Sequence, residues 1–175
     1  MTTKRGFTLV ELMVALGIFS IVVLLASGAY LMMISIARKS QGVSTGIDNL
    51  TFALEIMTRN IRTGTDYACG SGGDCAIVPG DSFSFRNSSG VLVEYRLSNS
   101  VLVENKGGIE RPLTDASVGI SALNFYVVGT EQTPIDYRQP HVLIVVAGRV
   151  SSDARTQDNF YVQTSATMRG SDIGI

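Results

Sequence analysis

The residues of this chain whose type and spacing could do chemistry fall into three groups. The first is Lys4-Arg5-Gly6-Phe7, two bases and a glycine standing ahead of an uncharged stretch from Leu12 to Ala37. A cut at that junction leaves the apolar segment on the product, whereas an ordinary secretory signal is cut behind its apolar region and loses it. The second is Glu11, a carboxylate at the edge of the apolar stretch. Such a group costs up to ~3 kcal/mol at the centre of a bilayer and less near the interface, so a partner is expected. A new amine on Phe7, created by a cut after Gly6, would stand four residues away on the same helical face. The third is the pair Cys69 and Cys75, enclosing Gly70-Ser-Gly-Gly-Asp74, a loop flexible enough to close a small disulfide ring.

Chain-entropy arithmetic gives a ring of that size roughly 2–2.5 kcal/mol. Free thiols and a metal pair are the competing readings. Five intervening residues differ from the two-residue spacing of zinc knuckles, and the chain has no second Cys/His pair. A disulfide is therefore expected, and disulfides persist outside the cytoplasm. Other candidate chemistry is thin. Gly80-Asp81-Ser82 resembles a fragment of a serine-protease motif, but Phe83-Ser84 follows where glycine belongs, and the single histidine, His141, lies far downstream beside Pro140. Glu94 and Glu104 are expected on solvent faces of strands, with no paired-carboxylate logic to single them out. Asp66, Asp74 and Asp81 surround the Gly-rich loop without the spacing of an EF-hand. No enzyme, cofactor or metal is expected. With a formal net charge of −1 and no basic patch, nothing points directly to nucleic acid.

The run Lys4-Arg5-Gly6-Phe7-Thr8-Leu9-Val10-Glu11 followed by an apolar helix resembles the prepilin leader of type IV pilins and pseudopilins. The resemblance covers Lys4 to about Ala37. It implies that a prepilin peptidase cuts after Gly6, that Phe7 is N-methylated, and that Glu11 sets register by meeting the Phe7 amine of its own or a neighbouring subunit. It also implies a helical spine packed against a β-sheet head. One departure stands out: many pilins carry a proline about twenty residues after the cut, where this chain has Ser27-Gly28. Glycine permits a break in the helix without forcing one.

The elements that must position these residues are legible in the periodicity. The 26 residues from Leu12 to Ala37 carry no charge, more than the ~20 needed to cross a bilayer core. Lys4 and Arg5 on one flank balance Arg38 and Lys39 on the other, so the positive-inside count barely orients the anchor. Val43, Ile47, Leu50, Leu54, Met57 and Ile61 then recur at steps of four and three, opposite Ser44, Asp48, Asn49, Glu55, Arg59 and Arg62. The apolar helix thus turns amphipathic near Arg38, with a bend expected at Gly42 and Gly46 and a stop at Gly64. From Thr8 to Arg62 it would be roughly 80 Å long. Basic residues Arg59 and Arg62 suit its negative C-terminal end.

Beyond Gly64 the period becomes two. Phe83 and Phe85 form one alternating set, and Val91, Val93, Tyr95 and Leu97 another. Asn87-Ser-Ser-Gly90 marks a loop between them, and Leu97-Ser-Asn-Ser-Val101 a second tight reversal. The slip from Val118, Ile120 and Ala122 to Leu123, Phe125 and Val127 predicts a bulge. Six apolar residues from Val142 to Ala147 predict a strand buried on both faces. Phe160, Val162, Thr164, Ala166 and Met168 close the series.

The expected fold class is α+β and pilin-like, a long N-terminal helix followed by one antiparallel sheet of five to seven strands. Its divisions are a leader at 1–6, a transmembrane and assembly helix at 7–37, an amphipathic continuation at 38–63 and a β-rich head at 64–175. The resemblance implies a structural filament subunit, minor rather than major, with layout closest to W-type minor pilins or J-type minor pseudopilins. Expected partners are other pilin or pseudopilin subunits, prepilin peptidase, an inner-membrane assembly platform, and membrane lipid before assembly. The expected location is the inner membrane, single-pass with the head outside the cytoplasm, then a pilus or periplasmic pseudopilus. A type II secretion pseudopilus and a competence pilus fit the same leader. Outside the class stands a membrane-anchored extracytoplasmic binding domain.

Overall fold

The computed structural model describes residues 6–70, 72–131, 138–153 and 156–170. The leader residues ahead of Gly6 lie outside the described residues, as does Ser71 of the Gly-rich loop. The chain divides into two units, Met1–Ser40 and Gln41–Ile175, with helix α1, Leu9–Arg62, running through both.

In the first unit α1 is apolar all round and almost wholly exposed, long and apolar enough to cross a membrane. The helix is unbroken through Ser27-Gly28. Ser20, Ser27 and Ser35 each donate their hydroxyl to a carbonyl of the preceding turn, on Leu16, Val23 and Met32, at 2.7–2.8 Å. The serine hydroxyls in the middle of the segment are thereby satisfied within the helix, as a hydrocarbon surrounding favours.

In the second unit the amphipathic half buries Leu50, Ala53, Leu54, Met57 and Ile61, with Val43 and Ile47 half-buried at its start. The glycines Gly42 and Gly46, where a bend is expected, do not end the helix. Helix continues through both, and Gly46 serves close packing instead: a Cβ there would overlap the Val150 side chain. Gly64, just past the helix end, is packed as closely, since a Cβ would run into the Phe85 ring.

Among the described residues eight strands follow, all paired antiparallel, in two sheets where one was expected. The first holds β1 (Thr65–Cys69), β2 (Ser82–Arg86), β3 (Leu92–Ser98), β4 (Val101–Lys106) and β5 (Ile109–Pro112), in that order. The second holds β6 (Val118–Val128), β7 (His141–Asp153) and β8 (Thr156–Thr167). Both β1 and β5 escape a periodicity reading because neither alternates in full: β5 is exposed throughout and β1 is exposed at Thr65 and Asp66. The reversal between β3 and β4 is a tight turn with Asn99 and Ser100 both at positive φ, the conformation of a two-residue hairpin. The expected bulge in β6 lies between Ile120 and Ala122, so the buried side passes from Ile120 to Leu123.

The strand β7 corrects another expectation. Val142, Ile144 and Val146 are fully buried, but Leu143, Val145 and Ala147 on the other face are only half-buried. Its apolar run reflects a central position between β6 and β8 without a second layer over the outer face. The two sheets meet at an isolated bridge between Gly80 and Phe125. An aromatic file crosses the junction, with Phe83 stacked on Phe125 at 5.6 Å and on Phe85 at 5.8 Å, and Tyr67 edge-on to Phe83 at 5.3 Å.

The packing at Gly46 makes a direct prediction. Gly46→Val should lower the stability of the detergent-solubilised protein by about 1–3 kcal/mol through overpacking against Val150. Gly28→Val, where a Cβ meets nothing within 4 Å, should leave the unfolding midpoint in place. Urea titrations followed by tyrosine fluorescence check the pair.

Candidate processing and assembly segment

The helix begins where Thr8 caps it. The Glu11 N–H donates to Thr8 Oγ1 at 3.3 Å, and the Leu12 N–H donates to the Thr8 carbonyl at 3.2 Å. Thr8-Leu-Val-Glu11 has the spacing of a capping box, a serine or threonine cap with an acid three residues on. Glu11 also stands in the first turn, where a carboxylate complements the positive end of the helix. Reasoning from the sequence passed over this role, although the Thr-x-x-Glu spacing was there to be read.

Gly6 and Phe7 precede the cap and are not helical, and Phe7 is 83% exposed. In the uncut chain Phe7 therefore does not share a helical face with Glu11. That geometry requires the new N-terminus to extend the helix after cleavage. The Glu11 carboxylate is exposed and makes no bond to another described side chain. What the structure presents is an accessible Gly6–Phe7 bond, a capped start, and an apolar helix carrying one acid.

Residues 1–27 match the family model described as the prokaryotic N-terminal methylation motif. This segment is a prepilin-type leader. The match covers the N-terminal segment, and the motif is the one found in the leaders of type IV pilins and pseudopilins. No curated protein and no solved structure matches the chain. The helix that follows the leader marks a single-pass membrane anchor.

In the head, Cys69 and Cys75 are joined in a disulfide with their Cα atoms 6.0 Å apart. The loop it closes is fastened to the second sheet. The Cys75 N–H donates to the Val127 carbonyl at 2.9 Å, and Gly80 and Phe125 exchange both backbone bonds at 2.9 Å. Asp74 completes the fastening, accepting from the Gly129 N–H at 3.1 Å, the Thr130 N–H at 2.9 Å and the Thr130 hydroxyl at 2.8 Å. Partial burial works to raise the Asp74 carboxyl, but the two Thr130 bonds, the Gly129 bond and the Arg138 charge outweigh it. The net result lies below the usual carboxylate value.

The remaining sequence candidates are dispersed. Ser82 lies in β2 and His141 at the start of β7, on different sheets, and His141 Nδ1 is 3.0 Å from Thr167 Oγ1. Asp66 is ion-paired with Arg86 at 3.3 Å, so its oxygens and those of Asp74 are engaged within the protein. Among the described residues no group of three or more His, Cys, Asp or Glu side chains could hold a metal ion. Glu104 departs from its expected solvent face. It stands opposite Tyr95, half-buried, and accepts the tyrosine hydroxyl at 3.1 Å while Asn60 donates to the same oxygen at 3.1 Å. Burial pushes the Tyr95 hydroxyl above its ordinary value; the Asn60 bond opposes this and Glu104 adds to it.

The Asp74 fastening should be sensitive to acid in one direction. A carboxyl whose folded pKa lies below its unfolded value, near ~3.9, stabilises the fold above that value and loses this as pH falls through the folded pKa. Hydrogen-exchange protection of the Gly129 and Thr130 amides should hold at pH 5 and drop in strong acid. Asp74→Asn should show reduced protection already at pH 5.

Proposed function

We propose that this chain is a structural subunit of a type IV pilus-like filament. It enters the inner membrane as a single-pass precursor with its head outside the cytoplasm. Prepilin peptidase cuts after Gly6, and the Phe7 amine is methylated. An assembly platform then moves the helix from lipid into a filament of pilin or pseudopilin subunits. The observation that carries this reading is the methylation motif at residues 1–27 leading into the exposed apolar first part of α1, whose single acid is Glu11. A plain membrane anchor has no use for a cut that preserves the apolar segment. The disulfide in the head supports an extracytoplasmic location. We place it at a minor position over a major one, on the resemblance of its layout to W-type minor pilins and J-type minor pseudopilins.

Glu11 would act twice in this scheme. In the precursor it supports the helix start beside Thr8. In the filament it would meet the cationic Phe7 amine of its own or a neighbouring chain, a pairing that relieves the cost of an acid among apolar helices.

Intact mass and N-terminal sequencing, with and without co-expressed prepilin peptidase, test the cleavage. The expected product begins at methylated Phe7 and is lighter by the pair of hydrogens lost on joining Cys69 and Cys75. A chain that keeps residues 1–6 in the presence of active peptidase would rule out the filament reading in favour of an anchored extracytoplasmic domain. Glu11→Gln should be cut normally yet enter filaments about tenfold less, the equivalent of ~1.4 kcal/mol at the docking step. Quantitative immunoblotting of sheared filaments against membranes reads that ratio.

A further inference from the structure

The head carries two grooves of opposite charge, and neither finds its counter-charge within the described residues. The first, about 840 Å³, lies between the end of α1 and the end of β8. Arg59 and Arg62 reach it from the helix, and Arg169 reaches it from the segment after β8. The Arg169 N–H donates to the Arg62 carbonyl at 2.9 Å, which fixes the two segments together. All three arginines are exposed, and no hydrogen bond or ion pair among the described residues reaches their guanidinium groups. The helix end accounts for Arg59 and Arg62, whose charge suits its carbonyls. It does not account for Arg169, which arrives from the segment after β8. Glu55 is the one carboxylate lining this groove among the described residues.

The second groove, about 570 Å³, runs along β2, β3 and the middle of β6. Asp81 and Glu94 line it, again without a partner among the described residues. Its one base, Arg96, is already taken by Glu110. The two grooves share no residue.

We propose that these grooves are the two halves of one contact between copies of this chain, with Asp81 and Glu94 of one head seated on Arg59, Arg62 and Arg169 of the next. Charge complementarity selects the occupant. The chain is net negative at −1, and loses Lys4 and Arg5 with the leader, so unpatterned heads would repel one another. Concentrating unpaired guanidinium groups in one groove and unpaired carboxylates in another turns that repulsion into an oriented attraction. Guanidinium forks match carboxylates in plane and spacing. Because the two patches differ, the contact is head-to-tail, and each copy in it keeps one groove free for a further neighbour instead of closing a symmetric dimer. Charges at such a rim set orientation and register more than affinity, which the helices would supply. The inference rests on the filament-subunit reading and adds that copies stand next to each other.

The test uses the full-length, processed chain in membranes. Thr63→Cys in one tagged copy and Asn124→Cys in a second place one thiol in each groove. A disulfide between the two tagged copies is expected. It should fall about tenfold or more when the basic copy also carries Arg62→Glu and Arg169→Glu, since like charges then face each other. It should return when the acidic copy carries Asp81→Arg and Glu94→Arg, a restoration that a misfolded head could not give. Absence of the cross-link in otherwise native copies that are correctly cut after Gly6 would overturn this proposal and leave the filament reading intact. So would a cross-link indifferent to charge reversal. If the reversed arginines block filament entry while no copy-to-copy cross-link forms, the occupant is a different subunit and the second copy is excluded. An uncut chain would count against the filament reading instead.

Discussion

The head is organised around one buried stripe, Leu50, Leu54, Met57 and Ile61 on a single face of α1. Neither sheet could supply a core of its own, for one has five short strands ending in a fully exposed edge and the other has only three. The stripe belongs to the same cluster as Phe83, Phe85 and Tyr95 from the first sheet and Ile120, Phe125, Ile144 and Val146 from the second. Burial of such side chains is worth about 1.5–3 kcal/mol each, so these four positions of the helix rank with the aromatic file as a source of stability. The same dependence explains the two close approaches, Gly46 on Val150 and Gly64 on Phe85, where any larger residue would push the helix off its sheet.

Much of this was legible before any coordinates. Helical spacing from Val43 to Ile61 and alternation in Phe83–Phe85 and Val93–Leu97 are strong signals because one face is buried and the other is wet. Even the bulge in β6 showed as a change of phase between Ile120 and Leu123. The strands that were missed, Thr65–Cys69 and Ile109–Pro112, lie at the two edges of the first sheet and bury too little to impose a pattern. The run Val142–Ala147 misled for the opposite reason. Apolar composition reports what a strand tolerates, and the middle strand of a small sheet tolerates valine and leucine even on a half-exposed face.

The candidate site divides in the same way. Gly6, Phe7 and Glu11 are contiguous in the sequence, so the leader could be recognised as a string of letters, and the family model matches that stretch. Partnerships between remote residues leave no such trace. Asp74 is bonded to Gly129 and Thr130, more than fifty positions on. Asn60 and Glu104 converge on the Tyr95 hydroxyl from a helix and a strand. Arg169 joins Arg62 through a backbone bond across the chain. Single residues of these types look like ordinary surface chemistry until folding brings their partners in.

The back-bonded serines of the anchor have a mechanical meaning. Because Ser20, Ser27 and Ser35 spend their hydroxyl protons on carbonyls one turn below, the Tyr30 hydroxyl is the polar side-chain group that the middle of the segment still offers its surroundings. Passing such a rod from acyl chains to a bed of other helices exchanges one set of dispersion contacts for another of similar strength. No hydrogen bond of the rod has to open on the way. The work of moving it would then be governed by shape and by the lone charge near its tip, and the middle of the helix could slide through either medium with little friction from polar chemistry.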